Sequence, residues 1–145
     1  MSIDLVTSDS DIRDCFPVMV QLRPKLTEPG WLPQVRRMEK DGFRLVALRE
    51  DGVVRAVAGF RVFENLYAGR LLYVDDLVTD QTTRSRGHGR ALLRWLTDHA
   101  RKNNCASLEL DSGTQRIDAH RFYLRERMNI ANFHFVLKLE PSTSA

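Results

Sequence analysis

The sequence predicts a mixed α/β fold, on three features. Two β-rich runs, 43–49 and 53–63, flank Glu50-Asp51-Gly52, whose Asp-Gly pair is a strong signal for a tight antiparallel hairpin. Gly89, Leu92, Leu93, Leu96 and Ala100 recur at helical spacing, with Arg90, Arg94, Asp98 and Arg101 on the opposite side. That helix lies between the strand-like runs 71–79 and 106–110, so the three make a β-α-β unit whose strands are parallel neighbours.

The other elements are read in chain order. Residues 3–7 form a short first strand, and Ser8-Asp9-Ser10-Asp11 supplies N-cap oxygens for a helix running to about Leu22 and halted by Pro24. Pro24, Pro29-Gly30-Trp31 and Pro33 read as a rigid connector, with Trp31 either a lid over the core or a pocket wall. A second helix over 34–40 ends at Asp41-Gly42. After the hairpin, a turn at 65–69 leads into 71–79 and extends it to a three-stranded meander. Beyond the amphipathic helix, Asn103-Asn104 precedes strand 106–110, helix 116–128 and a final strand, 133–139. In that last run Phe133, Phe135, Leu137 and Leu139 alternate with His134, Val136 and Lys138.

At 145 residues, 43% hydrophobic and 28% charged, the chain is one ordinary domain in size, expected over 1–140 with 141–145 a flexible tail. Its net charge of +3 arises from 22 basic against 19 acidic residues and is partly local, which argues against bulk nucleic-acid binding. Met1-Ser2-Ile3-Asp4 has no signal-peptide character and no apolar run is long enough to span a bilayer, so a soluble cytoplasmic protein is expected. Cys15 and Cys105 lack the short paired spacing of a metal or redox site and are read as inert buried thiols; no metal is called for.

Between 71–79 and the amphipathic helix lies Arg84-Ser85-Arg86-Gly87-His88-Gly89-Arg90, a glycine-bearing basic loop that opens a helix. Such a loop cradles anions: glycine lets backbone approach a ligand, and the first N–H groups of a helix favour phosphate oxygens. No third glycine completes a dinucleotide fingerprint and no Lys-Ser or Lys-Thr makes a P-loop. The fuller pattern is R-x-x-G-x-G from Arg84 to Gly89, preceded by Tyr73-Val74-Asp75-Asp76-Leu77-Val78 and followed by Ala119-His120-Arg121-Phe122-Tyr123. In this pattern, and in element order from 3 to 139, the chain resembles the GNAT superfamily of acyl-CoA-dependent N-acyltransferases.

The resemblance implies a central mixed, mostly antiparallel sheet of six or seven strands with about four flanking helices. It implies that Arg84, Ser85, Arg86, Gly87, His88, Gly89 and Arg90 line the coenzyme A pyrophosphate, largely through backbone N–H groups. It further implies that Leu77, Val78 and Thr79 hold the pantetheine arm and that Tyr123 protonates the departing thiolate, a role a phenol can fill as general acid. Asp75 and Asp76 stand out on their own, since Asp is depleted in strands and alternation sends the two to opposite faces. Asp75 is the first choice for the base that deprotonates the attacking amine, with a salt bridge to an arginine as the structural alternative. Glu64, Glu109, His120 and His134 are weaker candidates.

The expected activity is acetyl transfer from acetyl-CoA to a primary amine, on a small molecule or a peptide, by direct attack in a ternary complex. A catalytically silent acyl-CoA-binding sensor is the alternative. No nucleic-acid or membrane partner is expected, and family habit adds a homodimer. Two departures bear on the site map: Met128-Asn129-Ile130 replaces the frequent Gly-Phe, and Arg116 stands where many relatives carry Asn.

Overall fold

A computed structural model describes residues 1–141 as two compact units, Met1–Leu110 and a second beginning at Asp111. The first contains β1 (Ser2–Val6), α1 (Asp9–Leu22), α2 (Glu28–Glu39), β2 (Arg44–Glu50), β3 (Val53–Asn65), β4 (Gly69–Thr79), α3 (His88–Lys102) and β5 (Ser107–Leu110). The second contains α4 (Ile117–Arg125). The tail expected over 141–145 lies outside the described residues from 142 on.

Capping chemistry explains the helix starts. The Ser8 hydroxyl accepts from the Asp11 N–H, and Asp9 and Asp11 place negative charge on the first turn of α1. At α2 the Thr27 hydroxyl accepts from the Gly30 N–H, and Pro29 occupies an early position where its missing N–H costs nothing. The stretch read as a rigid connector is therefore mostly helix: α2 begins at Glu28, not at 34, and carries Pro33 inside it. Trp31 sits on α2, buried, with its indole N–H bonded to the Ile12 carbonyl at 2.6 Å.

The sheet has strand order β1-β2-β3-β4-β5, antiparallel except for the parallel β4–β5 pair. It is covered on both faces. Ile12, Cys15 and Met19 of α1 and Trp31 and Val35 of α2 pack with Phe43, Leu45, Val57 and Val78 on one side. Leu92, Leu96 and Ala100 of α3 pack with Val46, Leu48, Ala58, Phe60, Leu72 and Val74 on the other. Full burial of Leu92 and Leu96 stabilises this face by roughly 2 kcal/mol each.

Two features of β4 shape the candidate site. Gly59 pairs with Asp76 and Phe60 with Val74, so Asp75 is an extra residue in a β-bulge. The bulge breaks the alternation expected of the acidic pair: Asp75 is bonded by Arg61, which lies over the Phe43 ring, and Asp76 by Arg23 at the end of α1. Both carboxylates thus serve the face covered by α1 rather than opposite faces. In addition, β5 accompanies β4 only from Leu71 to Val74, which leaves the β5-side edge of β4 unpaired by any strand from Asp75 to Thr79 among the described residues.

The strand count differs from expectation, five rather than six or seven, because residues 133–139 form no strand. Their alternation is real, but a strand exists only where a neighbour completes its ladder, and none does so here among the described residues. The fourth helix is also shorter than 116–128; it closes with the Met128 N–H on the Tyr123 carbonyl and Arg127 at φ 67°.

Gly59 tests this packing. A Cβ there would lie 2.5 Å from the Phe43 ring and 2.8 Å from an Asp76 carboxylate oxygen. Gly59→Ala is expected to lower stability by about 1–3 kcal/mol in urea denaturation, as overpacked cores do.

Candidate active site

The unpaired edge of β4 runs directly into the basic loop. Asp80 ends the strand and organises the turn: its carboxylate accepts from the Thr82 N–H and hydroxyl, from Gln21 of α1 and from Arg55 of β3. Partial burial works against that charge, but these donors outweigh it and hold the Asp80 carboxyl below the usual range. The Gln21 carboxamide also accepts from the Gln81 N–H, so both polar atoms of one α1 side chain hold the turn.

From Arg84 to Gly87 the chain is exposed and uses left-handed backbone twice, Ser85 at φ 69° and Gly87 at φ 81°. Gly87 is the N-cap of α3 and offers no side chain to its N–H groups; the first amide donating into the helix is Ala91, to the Gly87 carbonyl. The N–H groups of His88, Gly89 and Arg90 therefore precede the helical ladder at its positive end. A Cβ on Gly87 would meet nothing within 4 Å, so the space before this turn is open.

His88 behaves differently from the rest of the motif. Its ring is buried, 3.2 Å from a Glu50 carboxylate oxygen and 3.4 Å from the Thr83 hydroxyl, leaving the backbone as the part of this residue that could meet a ligand. Glu50 also lies 3.5 Å from the Arg86 guanidinium. One carboxylate at the end of β2 thereby ties both the buried and the exposed side of the loop.

Asp75 is gripped by Arg61, Nε to the two carboxylate oxygens at 3.0 and 3.3 Å, while Arg23 donates to the Asp75 carbonyl at 3.0 Å and to Asp76 at 2.8 Å. Burial pushes the Asp75 carboxyl above the ordinary carboxylate range, with Arg61 opposing and the Asp76 charge assisting. The salt bridge and the raised proton affinity coexist, so the arginine does not disqualify Asp75 as a base.

Tyr123 lies in the second unit, on α4, edge to face with Phe122 at 5.3 Å between centroids. Burial raises its phenol above the ordinary value, with Arg116 pulling the other way. Leu77, Val78 and Thr79 pair with β3 and lie on the stretch of β4 that no strand joins on the β5 side among the described residues. Of the weaker candidates, Glu64 is exposed near the end of β3, Glu109 accepts from Ser107, His120 is bonded to the Gly113 carbonyl and His134 lies 3.6 Å from Asp111. Cys15 is buried, its thiol pushed up to about 12 by desolvation, which makes it a poor nucleophile.

A separate cavity of about 460 Å³ opens between α1 and α2, lined by Arg13, Phe16, Glu28, Pro29, Trp31, Leu32 and Pro33. The sequence offered Trp31 as a lid over the core or a pocket wall, and it is both buried and part of this lining; Glu50, Arg61, Gln21 and Asp80 were missed. Only Asp80 carried a local signal, an Asp two residues before Thr82 in a Thr-Asp-Gln-Thr-Thr turn.

The raised Asp75 carboxyl has a thermodynamic consequence. Its contribution to stability is fully present below the unfolded carboxylate range and is lost as pH rises through the higher folded value. The stability of the wild type relative to Asp75→Asn should therefore fall across that window in denaturant titrations at stepped pH. Arg61→Gln should move the Asp75 carboxyl resonance to a still higher titration midpoint by NMR.

The profile of the Acetyltransferase (GNAT) family matches residues 9–128. The chain is 36% identical over 119 residues to the uncharacterized N-acetyltransferase YhdJ of Bacillus subtilis, covering 81% of this chain and 84% of that protein. It is 33% identical over 94 residues to the aminoalkylphosphonate N-acetyltransferase of Salmonella typhimurium, covering 65% and 61% respectively. Aminoglycoside N-acetyltransferase AAC(6')-Iy, solved in complex with CoA, shares the fold at a TM-score of 0.82 and 11% identity, over 97% of this chain and 96% of that one. With the family profile spanning well over half the sequence and the fold agreeing along nearly all of it, the chain belongs to the acetyltransferase (GNAT) family.

Proposed function

We propose that this protein is an acetyl-CoA-dependent N-acetyltransferase acting on a primary amine by direct transfer in a ternary complex. The observation that carries the reading is the continuity of the unpaired β4 edge with an uncapped helix start. Backbone groups from Asp75 to Thr79 meet no strand on that side among the described residues, and three amides at the head of α3 precede the helical ladder. An extended amide-bearing arm ending in a diphosphate has the chemistry to fill such a path: strand-like hydrogen bonds along Leu77, Val78 and Thr79, then N–H groups and positive charge from Arg84 to Arg90. The open space before Gly87 leaves room for phosphate oxygens.

In this reading the family profile, which runs across both compact units, supports their acting as one acyltransferase domain. The amine arrives protonated, and Asp75 takes its proton directly or through water. The nitrogen then bonds to the acetyl carbonyl carbon, the carbon–sulfur bond breaks, Tyr123 gives its phenol proton to the sulfur, and the second proton shed by the nitrogen restores the phenol, directly or through water. Burial suits both groups: it makes Asp75 a stronger base than an exposed carboxylate and keeps the Tyr123 phenol protonated. The aminoalkylphosphonate named for one relative supports a small-molecule amine as acceptor.

Release of free thiol from acetyl-CoA in the presence of a panel of small amines, polyamines and peptides tests the proposal. Turnover above the hydrolysis blank is expected. Tyr123→Phe should lower kcat by about 10²-fold with little change in KM for acetyl-CoA. The acid limb of kcat/KM should lie above the ordinary aspartate range and disappear in Asp75→Asn. Saturable acetyl-CoA binding with no turnover on any acceptor would make the silent sensor the correct reading.

A further inference from the structure

Arg23 stands where α1 meets the bulge of β4. It closes α1 with its N–H on the Met19 carbonyl, and the proline that follows turns it out of helical conformation, to φ −120° and ψ 75°. A cation suits that end of a helix. On β4, Asp75 is the bulged residue with no partner in the register of β3, since Gly59 faces Asp76 and Phe60 faces Val74. Its carbonyl accepts from Arg23 Nη2 at 3.0 Å, and Arg23 Nε donates to the Asp76 carboxylate at 2.8 Å.

These two bonds use one side of the guanidinium and leave the other unused. Nη1 of Arg23, with its own pair of N–H groups, has no protein acceptor among the described residues, and the side chain is 51% exposed where Asp76 is 14% exposed. The group is therefore anchored on the protein and open to solvent at its end. A ligand meeting it has no flexible side chain to immobilise. Charge points the same way: Arg23 and Arg61 balance Asp76 and Asp75, all four within the first unit. Such a site holds no surplus negative charge to attract a polyamine. An acceptor that brings its own anion keeps the balance, ammonium to Asp75 and oxyanion to Arg23.

Given acyl transfer at Asp75, on which this inference rests, we propose that Arg23 selects the acceptor: a primary amine that carries an oxyanion a short chain away, accepted by Arg23 Nη1 while the nitrogen lies beside the Asp75 carboxylate. Carboxylate, sulfonate and phosphonate share the chemistry, and a planar guanidinium fork matches each better than an ammonium does. Because Arg23 is bonded to the Asp75 backbone itself, the two recognition points are held close together. That spacing favours compact amino acids over amines whose charges are far apart.

Thiol release from acetyl-CoA is measured with β-alanine, taurine and aminoethylphosphonate, with β-alaninamide and propylamine as neutral counterparts, and with putrescine as the dication. The best anionic amine should exceed the neutral ones in kcat/KM by about 10-fold or more, and the order among the three anions identifies the preferred head group. Arg23→Gln should lower kcat/KM for that amine by roughly 10–100-fold and for propylamine by less than about threefold. Damage to the fold or to Asp75 lowers both alike, so the ratio isolates recognition. Arg23→Lys, which keeps the charge without the fork, should restore only part of the preference. Equal kcat/KM for anionic and neutral amines in the wild type, or a ratio unchanged in Arg23→Gln, would overturn the inference and leave the acetyltransferase reading standing. No turnover on any of the six amines or on the wider acceptor panel would remove both.

Discussion

Pairing between β4 and β5 stops at Val74, and the unusual features of the first unit depend on that limit. One residue further on, the Asp75 bulge twists β4 away from regular alternation. The strand then continues to Thr79 with β3 as its one strand partner among the described residues. A sheet buried on both faces ordinarily satisfies its backbone on both sides, so the five residues from Asp75 to Thr79 leave one row of backbone groups without a strand partner among the described residues. Neither feature arises from propensity at one residue. They come from the shortness of β5 and from the unequal lengths of β3 and β4 across the bulge.

Side chains far apart in sequence hold this stretch of β4 and the loop beyond it. Arg23 at the end of α1 bridges Asp76 and the Asp75 carbonyl, and Arg61 clamps the Asp75 carboxylate while resting on Phe43. Gln21 and Arg55 converge on Asp80, and Glu50 on His88 and Arg86. Exposed ion pairs contribute little to stability, but these are partly buried and networked, so their effect is positional: they fix where a proton acceptor and a row of amides sit. This is the form of preorganisation that acyl transfer to an amine needs under the proposed function.

Helix and strand placement was legible wherever periodicity was strong, as in α3, whose Leu92, Leu93 and Leu96 are buried as their spacing required. The basic loop was legible too, because glycine and arginine density there serves no packing purpose. Other parts were not, for identifiable reasons. Two prolines concealed α2: Pro29 sits in the first turn, where proline is compatible with helix, Pro33 lies inside, and the Thr27 cap is a single oxygen. Alternation could not place Asp75 and Asp76, because a bulge is a relation between two strands. The buried role of His88 was hidden for the same kind of reason: its partner Glu50 is 38 residues away. Residues 133–139 alternate in sequence as a strand would, but whether such a segment becomes a strand is decided by its neighbour.

The central claim, that the β4 edge and the head of α3 together seat acetyl-CoA, is most directly tested by following backbone amide resonances as acetyl-CoA is added to the folded protein. Saturable shifts concentrated at Leu77, Val78, Thr79 and residues 84–91, with the buried amides of β2 and β3 unmoved, are the expected result. Well-dispersed spectra that do not respond, or shifts clustered elsewhere on the molecule, would contradict it.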